Sequence, residues 1–260
     1  MSKQASPIIR AQKLAQRFGA RVIFRDVSFT VFPGEVFVIL GGSGSGKSTL
    51  LNQLIGLLSP KEGTIEIAGE RVTGQGSHAA RQRVQRRIGV MFQSGALFGS
   101  MTLLQNVTLP LEMFTDLPAE ARTAIARVKL GLVGLAEAAE LYPAEISGGM
   151  VKRAGIARAL ALDPPILFLD EPSAGLDPVT SAGLDRLVLD LRDALGTTFV
   201  VVTHELASIL NIADRCIMLD RRAFPDAGGL IAEGDPRRLR EDATDPRVRA
   251  FFRREPLEVA

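Results

Sequence analysis

The sequence contains a single cysteine, Cys216, among 260 residues, which excludes an internal disulfide bond. A single cysteine fits a reducing compartment. Because Cys216 lies in an apolar run, we expect it in the core. No window holds 18 consecutive apolar residues, and residues 1–10 contain no apolar stretch of signal-peptide length. We therefore expect a cytosolic protein that does not itself span a membrane.

The sequence also lacks a strong excess of positive or negative charge. The 31 Lys and Arg nearly balance the 29 Asp and Glu, and the net charge of +2 gives no strong argument for nucleic acid as a partner. Basic runs occur at 81–87, 237–240 and 247–254, and for the first two we favour solvated helix faces. The sequence shows no internal repeat and no low-complexity segment. Its hydrophobic content of 46% allows a sizeable core in one or two domains.

The pattern from residue 8 to residue 73 is typical of strands, broken by Pro33-Gly34 and Gly63. Apolar residues at helical spacing predict a helix over 48–58 that buries one face. Further helices are expected at 105–113, 118–129, 136–142, 151–162, 178–195 and 207–214. The strands predicted from the same patterns are 22–24, 27–31, 36–40, 64–67, 166–169, 198–202 and 216–219.

This order of elements predicts an α/β fold. Strands that alternate with helices favour a parallel sheet covered on both faces, here with an antiparallel β edge from the first part of the chain. The helical stretch at about 94–161 predicts an inserted helical subdomain. We expect one domain over 8–244, followed by a C-terminal tail over 245–260.

A glycine-rich segment follows the strand predicted at 36–40 and fits the phosphate-binding loop G-x-x-x-x-G-K-[ST]. Bare backbone lets several N–H groups converge on phosphate oxygens. Lys47 is expected to reach the β- and γ-phosphates, and the Ser48 hydroxyl to ligate Mg²⁺. A chance glycine turn is disfavoured, because the segment follows an apolar strand and opens a helix. The candidate nucleotide-binding residues are Gly41, Gly42, Ser43, Gly44, Ser45, Gly46, Lys47, Ser48 and Thr49.

Two carboxylates, Asp170 and Glu171, end the apolar strand predicted at 166–169. Asp170 is placed to hold Mg²⁺ through water, and Glu171 to face the attacking water as a general base. The alternative is that this Asp-Glu pair is only a solvated turn. We disfavour it because the pair and the phosphate-binding loop are expected at the same edge of the sheet.

A Ser-Gly-Gly turn, Ser147-Gly148-Gly149, opens another predicted helix 23 residues before Asp170. Such a turn aims backbone N–H groups and a hydroxyl at an anion. Together and in this order, the phosphate-binding loop and the turn resemble the ATP-binding subunit of an ATP-binding cassette (ABC) transporter. The resemblance covers about residues 8–235. It implies a P-loop NTPase core that hydrolyses ATP with Mg²⁺.

Four further residues gain a role through this resemblance. It implies that Gln93 touches Mg²⁺ and the attacking water, and that His204 contacts the γ-phosphate. A lone histidine at a strand end is otherwise more often structural. Asp177 matches the loop that runs between two subunits. Phe18 matches an aromatic ring that stacks on adenine, although a core phenylalanine in a hairpin is nearly as well supported.

The resemblance also implies partners. The Ser-Gly-Gly turn lies about a hundred residues beyond the phosphate-binding loop, so we expect a head-to-tail homodimer. Each ATP then lies between the loop of one chain and Ser147 and Gly149 of the other. A membrane permease receives the movement through a groove near Gln93. The groove candidates are Leu97, Phe98, Met101 and Leu103, with ordinary subdomain core as the alternative.

Three features narrow the resemblance. Met150 replaces the usual glutamine of the signature, Gly95-Ala96-Leu97-Phe98 follows Gln93, and the segment 245–252 is distinctive. These features resemble the ATPase of Mla/Mce-type phospholipid transporters of Gram-negative envelopes. That resemblance implies a permease, a periplasmic lipid-binding subunit and a peripheral location on the cytoplasmic face of the bacterial inner membrane.

Other functions stay open at this point. The alternatives are an ATPase for amino-acid import or lipoprotein release, and a soluble ABC ATPase that acts on DNA or ribosomes. The soluble class carries coiled-coil insertions, zinc-type cysteine pairs or two cassettes, and the sequence has none of these. No residue is expected to touch the transported substrate, so side-chain chemistry does not identify it.

The tail carries a helix signal, since Asp245-Pro246 is typical of an N-cap followed by proline at the first helical position. Val248, Phe251 and Phe252 form an apolar edge that needs a covering surface. We expect the second subunit or the permease to cover it, with the chain's own domain as a close alternative.

Overall fold

The computed structural model describes residues 6–73 and 77–255. The strands are β1 Ile9–Phe18, β2 Arg21–Val31, β3 Val36–Gly41, β4 Glu62–Ile67, β5 Glu70–Arg71, β6 Ile88–Met91, β7 Ile166–Asp170, β8 Thr198–Val202, β9 Arg215–Asp220 and β10 Gly229–Gly234. The helices are α1 Lys47–Leu54, α2 Ser77–Gln85, α3 Leu103–Phe114, α4 Ala119–Leu132, α5 Gly148–Ala159, α6 Pro178–Leu195, α7 Leu206–Ile212, α8 Pro236–Asp242 and α9 Pro246–Arg253.

A six-stranded sheet in the order β10-β9-β3-β8-β7-β6 forms the centre of the fold. Neighbouring strands from β9 to β6 are parallel, and β10 pairs antiparallel with β9. The carboxyl ends of parallel strands meet at one edge of a sheet. The phosphate-binding loop, Gln93, Asp170 and His204 therefore all follow or end strands at the same edge.

Both faces of this sheet are covered, as predicted. Alternate residues of β3 point to opposite sides: Val38 joins a core with the helices α3 to α7, and Ile39 joins a core with α1 and the antiparallel strands. Those antiparallel strands form a separate four-stranded sheet in the order β2-β1-β4-β5. The α/β class with a parallel sheet and an antiparallel β edge is confirmed.

Several boundaries differ from the prediction. Helix α1 ends at Leu54 rather than at residue 58, because Gly56 turns the chain with a φ of +82°. The helix predicted at 136–142 is only a 3₁₀ turn, Ala136–Ala138. The carbonyl oxygens of Ala139 and Leu141 accept hydrogen bonds from the N–H groups at the start of α3 instead of continuing a helix.

Helix α2 lies in one of the basic runs that we interpreted as solvated faces. Arg83 pairs with Glu70 at 2.9 Å, and the Nε atom of Arg81 donates to the carbonyl oxygen of Val72. Arg83 is exposed, which agrees with a solvated face, and the two arginines also connect α2 to the antiparallel sheet.

None of the helices in the described ranges 6–73 and 77–255 combines the length and the apolar character that a bilayer crossing requires. Cys216 is buried in the core of the six-stranded sheet, as predicted, and burial raises the pKa of its thiol to about 12.

The tail helix α9 packs on its own domain. Asp245 caps the helix and Pro246 occupies the first turn, as predicted. Val248 and Phe252 are fully or almost fully buried among the helices that cover the sheet. Arg247 pairs with Asp220 and Asp245, which holds the helix against the end of β9. Val248 and Phe252 are thus covered by the alternative that we considered, the chain's own domain, whereas Phe251 of the same edge is half-buried.

We expect Phe252→Ala to lower the free energy of unfolding by about 3–5 kcal/mol, because it leaves a cavity in the core. Phe251→Ala is the matched control, since that ring is half-buried on the same helix. Denaturant unfolding of the full chain measures both changes. Equal effects of the two substitutions would show that α9 is not anchored through Phe252.

Candidate active site

The loop between β3 and α1 requires glycine at its first and last steps. Gly41 has a φ of +150°, and a Cβ atom there would lie 2.2 Å from the carbonyl oxygen of Leu219. Gly46 has a φ of +101°, and its Cβ would lie 2.8 Å from the ring of Phe24. Side chains are excluded at both positions, so the backbone turns sharply into α1.

Helix α1 begins without a side-chain cap. Gly46 is its N-cap residue, whereas α5, α6, α8 and α9 are capped by Ser or Asp side chains. The first N–H groups of a helix have no partner within the helix and carry a partial positive charge. They face a cavity of about 250 Å³. The cavity is lined by Arg21, Ile23, Gly44, Ser45, Gly46, Lys47, Ser48 and Thr49. This arrangement suits a phosphate group.

Lys47 folds back over the loop. Its Nζ atom donates to the carbonyl oxygens of Gly41 at 2.8 Å and Gly42 at 3.2 Å. Burial lowers the pKa of Lys47, and the carboxylates of Glu171 and Asp170 oppose that shift. The charges of both carboxylates therefore act on the ammonium group of Lys47. This agrees with the prediction that the phosphate-binding loop and the carboxylates lie at the same edge of the sheet.

The end of β7 places the two carboxylates next to each other. Burial raises the pKa of Asp170, the neighbouring Glu171 raises it further, and Lys47 and Lys152 oppose the shift. Glu171 has a φ of +45°, which is rare for a residue with a side chain, and its N–H donates to Val202 at 2.8 Å. Strained backbone of this kind is concentrated at functional sites.

His204 lies beside Glu171. Its Nδ1 atom is 2.8 Å from Oε1 of Glu171, and the imidazole is 66% exposed. Neighbouring strands bring the two residues together, because β7 and β8 pair in parallel. Sequence reasoning expected His204 to contact a phosphate and missed the contact with Glu171.

Gln93 follows β6 and shares an open cavity of about 640 Å³ with Asp170, Gly148 and Lys152. The predicted grouping of Gln93 with Asp170 is therefore observed. Sequence reasoning missed Lys152, whose Nζ atom donates to the carbonyl oxygen of Gln93. A lysine on a helix is usually interpreted as a solvated residue, and no local pattern argued against that interpretation.

The Ser-Gly-Gly turn begins α5, as predicted. The Ser147 side chain caps the helix by accepting from the N–H of Met150 at 3.3 Å. A Cβ atom at Gly149 would lie 2.6 Å from Cγ2 of Thr180, whose N–H donates to Asp177. The turn and the Asp177 loop of one chain are thus packed together.

The turn and the phosphate-binding loop line different cavities. Among the described residues, none of the three residues of the turn lines the cavity at the start of α1. Gly148 lines a second cavity together with Asp170. The turn therefore borders a cavity that Asp170 of the same chain also lines, and it is not part of the lining of the cavity at the start of α1.

Two other predicted groups differ from expectation. Phe18 is 53% exposed, so it is not a core residue; it lines a separate cavity with Gly19 and Lys61. Leu103 is fully buried and cannot line a docking groove. Phe98 is half-exposed, and Met101 lines an open groove of about 480 Å³ between α3 and α4.

Comparisons with known proteins agree with this geometry. The family described as "ABC transporter" matches residues 24–174. The protein of Escherichia coli (strain K12) described as "Intermembrane phospholipid transport system ATP-binding protein MlaF" is 39% identical over 253 residues, 97% of this chain and 91% of its own length. The "Probable ribonucleotide transport ATP-binding protein mkl" of Mycobacterium tuberculosis is 41% identical over 244 residues, 94% of this chain and 66% of its own length.

A solved structure is similar over most of the chain. It is described as a dimeric post-hydrolysis state of the ATP-binding cassette MJ0796 bound to ADP and Pi. It is 31% identical, has a TM-score of 0.75, and the match covers 87% of this chain and 98% of that one.

Proposed function

The chain belongs to the ABC transporter family of ATP-binding proteins, and on that premise we propose that its ATPase activity powers phospholipid transport by a membrane permease. The predicted family, fold and ATPase class are confirmed by the relatives. The observation that carries the proposed site is the uncapped start of α1, which borders a cavity lined by Lys47. The charges of Asp170 and Glu171 act on this lysine.

The start of α1, Lys47 and Phe18 together account for the proposed nucleotide binding. In the proposed site, the N–H groups of residues 46–49 hold the phosphates, and Lys47 exchanges its carbonyl partners for phosphate oxygens. Phe18 is exposed at the end of β1, which leaves its ring available for stacking on adenine. Gly41 and Gly46 keep the backbone close enough for these contacts.

The donors present fit Mg²⁺. The described residues contain no group of three or more His, Cys, Asp or Glu side chains that could hold a metal by themselves. Mg²⁺ keeps several waters and takes few protein ligands besides substrate phosphates, which suits the Ser48 hydroxyl, Asp170 and Gln93. When bound, the ion neutralises charge on the phosphates.

Glu171 is the proposed general base. Its carboxylate is mostly buried, and the contact with His204 fixes its orientation. Lys47 and Lys152 oppose the rise that burial gives the pKa of the neighbouring Asp170, so positive charge lies next to the pair of carboxylates. His204 is exposed enough to reach a γ-phosphate from the same position.

We infer a homodimer with two shared ATP sites. The turn at Ser147 and Gly149 lines no part of its own phosphate cavity, and the similar cassette MJ0796 is dimeric. In the proposed dimer, the turn of one chain contacts the γ-phosphate held by the other. Asp177 packs beside the turn and so lies at the same interface.

The proposed partners are a permease and, through it, a periplasmic lipid-binding subunit. The open groove beside Met101 and Leu104 offers a docking place for a permease helix, on the cytoplasmic face of the inner membrane. The name of the MlaF relative supports phospholipid as the substrate. The name of the mkl relative instead mentions ribonucleotides, which makes them the second candidate.

Purification of the tagged chain from native membranes tests this function. We expect a membrane protein to co-purify and phospholipid to be enriched, measured by mass spectrometry of proteins and lipids. Met101→Asp places a charge in the groove and is expected to release the membrane protein, whereas Glu137→Gln on the 3₁₀ turn, outside the lining of the groove, is the control. Recovery of the chain without any membrane protein would contradict the proposal.

A further inference from the structure

Helix α5 contains a buried cation, Lys152, to which the proposed mechanism gives only an electrostatic role. Lys152 is only 6% exposed. Its Nζ atom donates to the carbonyl oxygen of Gln93 and, at 3.4 Å, to the carbonyl oxygen of Glu171. One side chain therefore joins the end of β6 to the end of β7, at the two residues proposed to handle the attacking water.

The same helix begins at the Ser-Gly-Gly turn. Lys152 lies only five residues after Ser147, so fewer than two helical turns separate it from the proposed contact with the partner's ATP. An α-helix of this length moves as a rigid element. A displacement of the turn is therefore passed to the ammonium group of Lys152.

Helix α5 also holds the segment that follows Gln93. Arg158 donates to the carbonyl oxygens of Ala96 at 2.6 Å and Gly95 at 3.2 Å. A Cβ atom at Gly95 would lie 2.9 Å from the side chain of Val151, which shows how closely the segment packs on the helix. Lys152 and Arg158 thus fix both ends of the segment 93–96.

We propose that Lys152 is a positioning residue that couples the two ATP sites of the dimer. When the turn of one chain closes on the partner's ATP, Lys152 carries that movement to the backbone of Gln93 and Glu171. The base of the first chain then reaches its working position on that chain's own ATP. This inference rests on the proposed dimeric function.

The test compares Lys152→Met, Lys152→Arg and Lys129→Met in the full chain, by ATPase rate against ATP concentration. Misplacing reacting groups by about 1 Å can cost about 10²-fold in rate, so we expect Lys152→Met to lower kcat by about tenfold or more. The KM for ATP should change by less than about threefold, because the loop of Lys47 is untouched. The dependence of rate on ATP should also become less sigmoidal.

The other variants separate positioning from stability. Lys152→Arg keeps a cation with several donors and should restore most of kcat. Lys129 is the matched control, since it is a buried lysine that pairs with Asp163 away from the site. Lys129→Met is expected to leave both kcat per folded molecule and sigmoidal behaviour unchanged. If Lys152→Met does not fold, Lys152→Gln, which keeps a donor without the charge, takes its place.

ATP-dependent dimerisation in a Glu171→Gln background completes the test, because Lys152→Met should still dimerise there. Unchanged kcat and sigmoidal behaviour in Lys152→Met would overturn the inference while leaving the proposed function intact. Loss of dimerisation together with a raised KM would also overturn it, since Lys152 would then support binding. An original chain that neither hydrolyses ATP nor dimerises would contradict the proposed function itself.

Discussion

Glu171→Gln is expected to bind ATP normally and to stop hydrolysing it, whereas Lys47→Ala is expected to lose binding. The amide keeps the size of the carboxylate but cannot accept a proton, and a general base contributes about 10²- to 10⁴-fold to rate. Lys47 neutralises phosphate charge in the ground state, so its loss acts on binding. ATPase assays and binding of a fluorescent ATP analogue measure the two effects.

Glu205→Gln is the matched control for Glu171→Gln. It makes the same chemical change on a partly exposed residue next to His204, where Glu205 pairs only at 3.7 Å with Arg254. Its rate should stay close to that of the original chain. If Glu171→Gln kept more than about a tenth of the rate, a base worth about 10²-fold or more could not be Glu171.

Gly148→Asp is expected to abolish turnover while leaving the fold as stable as before, or more stable. Its Cβ atom would meet only Leu176, at 3.8 Å, so the chain has room for the side chain. A carboxylate in the first turn of a helix typically stabilises it by about 0.3–1 kcal/mol. In the proposed dimer, the new carboxylate would face the partner's γ-phosphate and repel it. Loss of one well-placed donor to such a group already costs on the order of 10²-fold in rate.

Met150→Gln is the companion variant. If Ser147 and backbone N–H groups hold the phosphate, the half-buried side chain at 150 contributes to helix packing, and activity should stay within about a few-fold. The assay needs the permease if the isolated chain dimerises weakly. A Met150→Gln protein as inactive as Gly148→Asp would show that the methionine itself takes part.

Gly149→Asp should also be inactive, but it does not separate loss of the phosphate contact from a disturbed fold. A Cβ atom there would lie 2.6 Å from Thr180 of the same chain, so the variant disturbs packing as well as the phosphate contact. Only the structure distinguishes the two glycines, because adjacent positions of one turn look equivalent in the sequence.

Local patterns were enough to predict much of the site. The loop at Lys47, the carboxylates at Asp170 and the turn at Ser147 each combine a short motif with an apolar strand or a helix start. The family resemblance predicted the roles of Gln93 and His204, and their grouping with Asp170 fits a parallel sheet, whose strands end at one edge. The N-cap at Asp245 was likewise a local signal that the structure confirms.

Contacts between distant residues could not be predicted in the same way. The bond from Lys152 to Gln93 spans 59 residues, and the contact of His204 with Glu171 spans 33. The covering of Phe252 by its own domain and the failure of a helix at 136–142 also depend on residues far along the chain. A single sequence contains no record of such pairings, and only packing decides them.

The most direct test of the shared ATP site mixes two inactive variants, Lys47→Ala and Gly148→Asp. In the mixed dimer, the intact loop of the Gly148→Asp chain faces the intact turn of the Lys47→Ala chain, which restores one complete site. Random pairing predicts recovery of up to about a quarter of the original ATPase rate if the two sites are independent. If Lys152 couples the sites, the recovery falls to about a tenth of that value, because the chain with the intact loop has the defective turn. Both values are measurable against two proteins that are inactive alone. If loop and turn act within one chain, every site in the mixture stays defective and no activity returns, which would contradict the account.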